Sequence, residues 1–175
     1  VRAYMHYLFG EYGLVTLDAD SSVLKSQFQS VMKDDILNNT AYRLVNERTA
    51  VIEELGYKTQ ITPREINFFY LDKSLRERIV KSENGFEILN TDLTFSESEM
   101  KAIINDEPEK ISPNVVLRPL YEEWILPNLA YIGGPSEVPY WLQLKPVFEH
   151  YHEAFPALLP RNFGLILDAR SKKSL

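Results

Sequence analysis

The sequence predicts an α/β protein, and three observations lead to that prediction. A short apolar segment, Gly13 to Leu17, precedes two long stretches whose apolar residues recur at helical spacing. A second apolar segment, Leu129 to Ile132, runs through a Gly-Gly-Pro turn into another amphipathic stretch. Between them lies a segment rich in β-branched and aromatic residues, with an Asn-Gly pair typical of hairpins. Strands that alternate with helices indicate the crossover units of an α/β sheet.

Composition narrows the classes of function. The chain has 175 residues, enough for one hydrophobic core, and it is 45% hydrophobic and 25% charged. Because the net charge is −6 and basic residues cluster only in the short tail Arg170 to Lys173, no nucleic-acid partner is expected. No apolar run approaches the roughly 20 residues that span a bilayer, so no membrane partner is expected. The absence of cysteine excludes disulfides, thiolate metal ligands and a cysteine nucleophile, and it fits the cytoplasmic location that we expect.

Residues 1–57 are predicted to form the first part of the α/β core. Ala3 to Phe9 is predicted to be a helix and Gly13 to Leu17 (GLVTL) a buried strand. Asp18 to Ser22 offers helix N-caps, and Gly56 stands where a C-cap glycine belongs. The inward positions of the two intervening helices are Val23, Leu24, Phe28, Val31 and Met32, then Ala41, Leu44, Val45, Val51, Ile52 and Leu55.

Residues 58–112 are predicted to form a small inserted α+β module. Ile66 to Leu71 (INFFYL) and Leu93 to Phe95 are predicted strands, and Arg78 to Leu89 is a predicted hairpin with a primed turn at Asn84-Gly85. Ser96 and Glu99 have the spacing of a capping box, which predicts a helix that ends by Pro108.

Residues 113–175 are predicted to complete the core. Pro119 is suited to the first position of a helix that ends by Pro127. Leu129 to Ile132 and Ala157 to Leu159 are predicted to be buried strands. The helix between them begins near Ser136 as N-cap, and Pro146 should kink or shorten it. The apolar run Phe163 to Leu167 stays unassigned.

The Gly-Gly-Pro turn raises the main question of function. A helix N-terminus leaves about four N–H groups unpaired and carries roughly half a positive charge, so Gly133 and Gly134 could bring an anion close to the backbone. The motif lacks the third glycine of a dinucleotide fingerprint and the Gly-Lys-Ser/Thr ending of a P-loop. An ordinary turn is therefore the competing interpretation, and the residues alone leave both open.

Several neighbouring side chains have two interpretations as well. Arg118 and Arg161 each stand beside a proline near the end of an element, where Arg can clamp a carboxylate or phosphate or form a structural ion pair. Tyr140 and Trp141 suit a core as well as a ligand platform, and Glu137 can simply complement the helix dipole. His150 and His152 are two residues apart and would face different ways on a helix, so no metal site is predicted.

A resemblance to a known family adds to these patterns. The motif Leu-Pro-x-x-Ala-Tyr-Ile-Gly-Gly-Pro-x-Glu-x-x-Tyr-Trp, residues 126–141, resembles the bacillithiol biosynthesis cysteine-adding enzymes, the BshC family. LFGEYGLVTLDADSSVLK near the start and FPALLPR after the motif are also similar to that family, so the likeness covers essentially the whole chain. Ser136 and Pro139 depart from the family pattern, which usually has Gly and a small residue there.

The resemblance implies a fold and an architecture. It implies part of a Rossmann-like three-layer domain with a small β-containing insert. Family members are much longer, with an upstream Gly-rich loop and an acidic-His segment, and with a downstream coiled coil. We therefore expect this chain to be an internal or C-terminal fragment of the Rossmann-like core, inactive by itself.

The resemblance also implies an activity and a site. The parent protein would be an amide-forming ligase that adds cysteine to glucosaminyl malate, using a nucleotide such as ATP or ADP in the full-length enzyme and no cofactor in the fragment. Its partners would be these small molecules. A homodimer formed through other parts of the parent would also be compatible with the resemblance. The implied substrate-binding residues are Arg118, Gly133, Gly134, Pro135, Glu137, Tyr140, Trp141 and Arg161, and no catalytic residue is implied.

Two expectations can be checked in a structure or an assay. If the strands at 129–132 and 157–159 are parallel neighbours, Arg161 should reach the same rim as the Gly-Gly-Pro loop, whose free N–H groups would face a concave surface.

The alternative function is a non-catalytic ligand-binding or assembly module on a Rossmann-like scaffold, with Tyr4, Tyr7 and Phe9 as a contact surface.

Overall fold

The computed structural model describes residues 1–164 as seven α-helices and seven β-strands. The predicted run Phe163 to Leu167 lies largely outside the described residues. Helices α1 to α7 are Arg2–Phe9, Ser22–Ser26, Gln29–Asn38, Thr40–Glu54, Glu97–Asp106, Arg118–Ile125 and Glu137–His150. Strands β1 to β7 are Phe68–Asp72, Leu75–Ser82, Gly85–Ile88, Thr94–Phe95, Ile111–Pro113, Ala130–Gly133 and Ala157–Pro160. The predicted mixture of helix and sheet is confirmed.

Five strands form an antiparallel sheet in the order β4-β3-β2-β1-β5. The predicted hairpin is confirmed, with Ser82 paired to Gly85, but its two-residue turn is Glu83-Asn84 rather than Asn84-Gly85. Neither turn residue has a positive φ, so the predicted primed turn is wrong. Gly85 is required for another reason, because a Cβ there would overlap the backbone carbonyl of Phe95 on β4.

The remaining two strands, β6 and β7, pair in parallel with α7 as their crossover. Their existence and parallel pairing match the sequence prediction, but their burial does not. Leu129 is 96% exposed, Ile132 64% and Leu159 48%. Parallel strands are normally covered on both faces, and within residues 1–164 no further strand pairs with β6 or β7. The apolar runs are therefore typical of a buried parallel sheet although the described chain leaves them open.

The segment Gly13 to Leu17 is the clearest error of the sequence prediction. It forms no strand, and Val15 is 61% exposed and Leu17 42% exposed. Periodicity cannot identify a short apolar run, because a strand also needs a partner strand to satisfy its backbone. The predicted helix over Val23 to Met32 is split into α2 and α3 at Phe28, whose ring enters the core.

The local sequence signals at helix ends predicted the structure more reliably than the short apolar runs did. Ser96 and Glu99 form the predicted capping box at the start of α5. Gly56 has φ +83°, and the Gly56 and Tyr57 N–H groups bond the last carbonyls of α4 in a Schellman motif. Pro146 neither ends nor shortens α7. The carbonyl of Leu142, which loses its helical donor at Pro146, instead accepts a 3.4 Å hydrogen bond from Nε of Arg48.

One hydrophobic core joins all three predicted segments. Helix α7 packs against α4 and contributes the fully buried Trp141, Leu144 and Phe148. The sheet contributes Phe68 and Ile79 to the same cluster. The boundaries at residues 57 and 112 remain a prediction, since the cluster is continuous across them.

A buried carboxylate fixes the junction between helices and sheet. Asp35 is fully buried and accepts hydrogen bonds from the Asn67 N–H at 2.7 Å and the Ala41 N–H at 3.2 Å. Asn67 in turn bonds Asn114, through a 2.9 Å backbone bond and a 3.1 Å side-chain bond. The Asn114 carbonyl accepts the Arg118 N–H at 2.8 Å, where α6 begins. This series of bonds connects the end of α3, the start of β1 and the start of α6.

The Asp35 carboxyl should give folding a measurable pH dependence. Burial raises its pKa to about 6 from 3.8, although the N–H groups of Asn67 and Ala41 act to lower it. The folded state therefore holds this proton more tightly than the unfolded state. The resulting stabilisation is fully present below about pH 4 and is lost as the pH rises through about 6. At about 1.4 kcal/mol per pKa unit, the loss amounts to about 3 kcal/mol.

Replacing Asp35 by Asn should remove this pH-dependent part of the free energy of unfolding. The free energy of unfolding of the Asp35→Asn variant, measured by urea titration between pH 4 and pH 7, should fall less with rising pH than that of the wild type. Asp92→Asn, in an exposed loop, serves as the control and should retain the wild-type slope. Identical slopes for wild type and Asp35→Asn would contradict the prediction, whatever their absolute stabilities.

Candidate functional site

The Gly-Gly-Pro loop connects β6 directly to α7, as predicted. A Cβ at Gly133 would lie 2.8 Å from the Tyr131 ring and 3.1 Å from Val138 Cγ2. Both glycines are buried, while Pro135 and Ser136 are exposed. The first glycine is therefore required by close packing within the loop.

The N-terminus of α7 is closed by its own carboxylate. Glu137 Oε2 accepts the Gly134 N–H at 2.6 Å, and the Gly134 carbonyl accepts the N–H groups of Glu137 and Val138 at 3.0 and 3.1 Å. The expectation of free N–H groups in this loop is therefore wrong for Gly134. Ser136 occupies the predicted N-cap position of α7, but its side chain makes no cap hydrogen bond. A carboxylate next to a helix N-terminus is stabilised by the helix dipole, which explains why Glu137 takes this position.

Arg161 lies where the sequence predicted it. Its N–H donates to the Gly133 carbonyl at 2.9 Å, which extends the register of β7 alongside β6. Its guanidinium covers the second glycine, since a Cβ at Gly134 would lie 3.0 Å from Arg161 Nη2. Residues 1–164 provide no acidic oxygen within 4.0 Å of this guanidinium. Arg161 is exposed, so its charge is available to an anion at this end of the parallel strands.

The two aromatic residues of the motif occupy different depths. The Trp141 ring is fully buried beneath Tyr131, with ring centroids 4.2 Å apart. Its indole N–H lies near the Tyr131 side chain but makes no hydrogen bond of acceptable geometry within residues 1–164. Tyr140 is 9% exposed and borders Arg118. Burial raises the pKa of the Tyr131 hydroxyl, and Tyr140 and Glu137 raise it further. Tyr131 and Tyr140 thus lie between the loop and Arg118.

Of the two interpretations that the sequence left open for Arg118, the structural ion pair is observed, and the role in ligand binding stays a prediction. Arg118 forms an ion pair with Glu122 at 2.7 Å, one helical turn along α6. Burial acts to lower the pKa of the Arg118 guanidinium, but the Glu122 carboxylate and the Tyr140 hydroxyl outweigh burial and raise it. About half of the side chain remains exposed, so the ion pair leaves part of the guanidinium accessible. Arg161 thus contacts the Gly-Gly-Pro loop directly, whereas Arg118 borders Tyr140 in the first turn of the helix that follows the loop.

Sequence reasoning missed the residues on the other side of Arg118. Arg118 also borders a cleft of about 260 Å³, whose other lining residues are Ala19, Asp20, Leu71, Arg76, Ser112, Pro113 and Tyr121. Arg76 was overlooked because the alternating polar residues of β2 indicate an ordinary solvent-facing strand. Only the pairing of β1 with β2 and β5 brings residues 76 and 112 to the same place. No local motif in the sequence signals this cleft.

The described residues do not form a metal centre by themselves. Between residues 1 and 164, no three His, Asp or Glu side chains are close enough together to hold a metal ion. Nor does this part of the chain contain a helix that is both long and apolar enough to cross a membrane.

The internal cap on α7 gives a stability prediction. Glu137→Ala removes a charged hydrogen bond and a favourable dipole interaction, so the free energy of unfolding should fall by about 1 to 2 kcal/mol. Glu149→Ala is the matched control, because Glu149 lies near the other end of α7 with only an exposed 3.7 Å ion pair to Lys145. That control should change stability by less than about 0.5 kcal/mol. Equal losses of unfolding free energy for the two variants in chemical denaturation would contradict the predicted stabilisation by Glu137.

Comparison with known proteins gives a consistent result. Residues 1–162 match the family model described as "Bacillithiol biosynthesis BshC, N-terminal Rossmann-like domain". The chain is 48% identical over 166 residues to a protein of Cytophaga hutchinsonii named "Putative cysteine ligase BshC", covering 95% of this chain and 32% of that protein. Proteins of the same name from Flavobacterium psychrophilum and Staphylococcus haemolyticus are 46% and 34% identical, over 95% and 99% of this chain and 31% and 33% of their own. The chain thus spans about a third of the length of these relatives. The predicted resemblance is confirmed: the chain belongs to the BshC family, as its Rossmann-like domain.

Proposed function

We propose that the protein carrying this chain is a carbon–nitrogen ligase that joins the carboxyl group of cysteine to the amine of glucosaminyl malate, completing bacillithiol. Family membership is the observation that carries this proposal, because relatives that match 95% of the chain or more are named "Putative cysteine ligase BshC" and the family model is described as "Bacillithiol biosynthesis BshC". The activity belongs to the complete protein, and this chain contributes part of its substrate-binding surface. We expect the isolated chain to be inactive, and any homodimer to form through other parts of the parent.

The geometry supports an anion-binding role for this surface. The amine substrate carries malyl carboxylates, and an activated cysteine would carry a phosphate or nucleotide; all of these are anions that guanidinium groups bind well. The exposed Arg161 and half-exposed Arg118 lie at opposite ends of the region formed by the loop and the two tyrosines. In this proposal Gly133, Gly134, Pro135 and Glu137 shape the surface. Tyr140 contacts ligand, and Trp141 supports Tyr131 from beneath.

Nucleotide binding is proposed for the complete enzyme but not for this loop. A phosphate cradle needs free backbone N–H groups, and the Gly134 N–H is already bonded to Glu137. The Gly-Gly-Pro sequence also lacks the lysine and hydroxyl residue of a P-loop. ATP or ADP would therefore place its phosphates elsewhere in the protein. We assign no catalytic base to the described residues.

A second candidate function is a non-catalytic ligand-binding or assembly module on the same scaffold. It is favoured by the aromatic residues of the N-terminal helix, since α1 buries none of its residues and Tyr4 and Tyr7 are 65% and 85% exposed. Such a surface indicates that another element covers it. Ligase activity of the complete protein would rule out this alternative as the sole function.

The direct test is deletion of the gene for the complete protein. Cellular bacillithiol should disappear and glucosaminyl malate should accumulate, both measured by mass spectrometry of thiol-labelled and underivatised extracts. Reintroducing the wild-type gene should restore the thiol. A deletion strain with normal bacillithiol and no accumulated precursor would refute the ligase proposal.

Arg161 provides the residue-level test. Arg161→Gln in the complete protein should raise the KM for an anionic substrate or lower kcat, so that kcat/KM falls by about tenfold or more, as expected for a lost charged hydrogen bond. Arg43→Gln is the control, because Arg43 lies on α4 and, among residues 1–164, pairs only with Glu47 on the exposed face of that helix. Unchanged kinetics for Arg161→Gln would exclude Arg161 from substrate binding.

A further inference from the structure

The cleft beside Arg118 contains two cationic side chains from distant parts of the chain. Arg76 comes from β2 and Arg118 from the start of α6, and both line the same space of about 260 Å³. Such a space accommodates a carboxylate or a phosphate group. Because Arg118 borders both this cleft and Tyr140, the cleft adjoins the Gly-Gly-Pro region but is a separate cavity.

Arg76 differs from the other cations around the cleft. Its guanidinium lies 4.3 Å from the centroid of the Phe69 ring, which orients the side chain by a cation–π contact. Within residues 1–164 it forms no ion pair, whereas Arg118 pairs with Glu122 and Lys25 with Asp20. The residues that line the cleft include two cations, Arg76 and Arg118, and one anion, Asp20, so the lining carries a surplus of one positive charge.

The walls of the cleft are held in place by buried contacts. The Lys25 ammonium, whose side chain is 1% exposed, bonds the Ile111 carbonyl at 2.7 Å and Asp20 at 2.9 Å, so it ties the loop at Asp20 to β5. The Tyr121 hydroxyl donates to the Ala19 carbonyl at 3.0 Å and fixes the same loop to α6. Burial lowers the pKa of Lys25, against the opposing effect of Asp20. The loop is therefore anchored on both sides of the cleft.

We propose that this cleft binds a small oxyanion, a carboxylate or a phosphate, between the guanidinium groups of Arg76 and Arg118. The Ser112 hydroxyl, which lines the cleft and makes no hydrogen bond within the described chain, supplies a further donor. A larger, open cleft of about 580 Å³ shares Asp20, Leu71 and Arg76 with this one and gives room for the rest of a larger ligand. Its further charged lining residues are Lys73, Lys110, Asp72 and Glu109, so the added charge is balanced. The inference deepens the proposed function, on which it rests for the identity of the anion: a malyl carboxylate or a phosphate.

The experiment measures anion binding to the complete protein by isothermal titration calorimetry, with inorganic phosphate and malate as separate probes. The wild type should bind at least one of them, and the preferred probe identifies the source of the oxyanion. Arg76→Gln should weaken that binding about tenfold or more, because a charged hydrogen-bond donor is lost. Arg76→Lys keeps the positive charge but loses the planar guanidinium, so its affinity for the anion should lie between those of the wild type and Arg76→Gln.

Arg78→Gln is the matched control, since Arg78 is also an exposed residue of β2 and does not line the cleft. It should bind the anion as the wild type does. Absence of binding of both probes to the wild type would overturn the inference. So would equal affinities of wild type and Arg76→Gln, or binding lost in Arg161→Gln but unchanged in Arg76→Gln.

A ligase assay on the same variants separates this inference from the proposed function. A protein without ligase activity that still binds anion through Arg76 would refute the proposed function and leave the cleft assigned. An active ligase whose Arg76→Gln variant keeps the wild-type anion affinity and the wild-type KM for glucosaminyl malate would refute the cleft alone.

Discussion

The buried Asp35 carboxylate is the constraint on which the geometry of the candidate site depends. A carboxylate without solvent must have hydrogen-bond donors, and its donors here are backbone N–H groups of two different segments. Meeting that requirement fixes Asn67 before β1, and through Asn114 it fixes the first residue of α6. Arg118 is that residue. The position of a surface cation is thus determined by a buried anion several contacts away.

A second buried carboxylate, that of Glu123, fixes another part of the chain in the same way. Glu123, 2% exposed on α6, accepts the backbone and side-chain N–H groups of Asn128 at 2.8 and 2.9 Å. This holds the turn between α6 and β6, and therefore the entry to the Gly-Gly-Pro loop. On α7, Gln143 is fully buried and bonds Thr49 and the backbone of Ile61. Polar side chains with complete sets of partners position the elements that carry the candidate site, since an unpaired one would be costly.

Local signals in the sequence predicted the structure correctly, whereas features that depend on a distant partner could not be predicted from it. The capping box at Ser96, the C-cap at Gly56 and the order β6–loop–α7 depend on residues within a few positions of each other, and all are confirmed. The strand predicted at Gly13 to Leu17 needed a neighbouring strand, which the described chain does not offer. Ser136 is the N-cap residue as predicted, but its hydroxyl makes no cap hydrogen bond, because the Val138 N–H bonds the Gly134 carbonyl and Pro139 has no N–H. Arg76 could not be associated with Arg118 before the fold was known, because their proximity depends on the pairing of β1 with β2 and β5 and on the bonds that place the start of α6.

The strand pairs differ in the distance along the chain that they must bridge. Strands β1 to β4 form a simple meander in which each strand pairs with the next through a short connection, whereas β5 returns to pair with β1 only after α5. The β6–β7 pair closes only after the whole of α7 has been placed between them. Because pairing of strands far apart in sequence costs more chain entropy and slows folding, we expect the meander to acquire protection from hydrogen exchange early in folding. The parallel pair, with Ile132 and Leu159 still facing solvent, would be among the last parts to form. We then expect the pairing beside Gly134 and Arg161 to open more readily in the native state than the meander does.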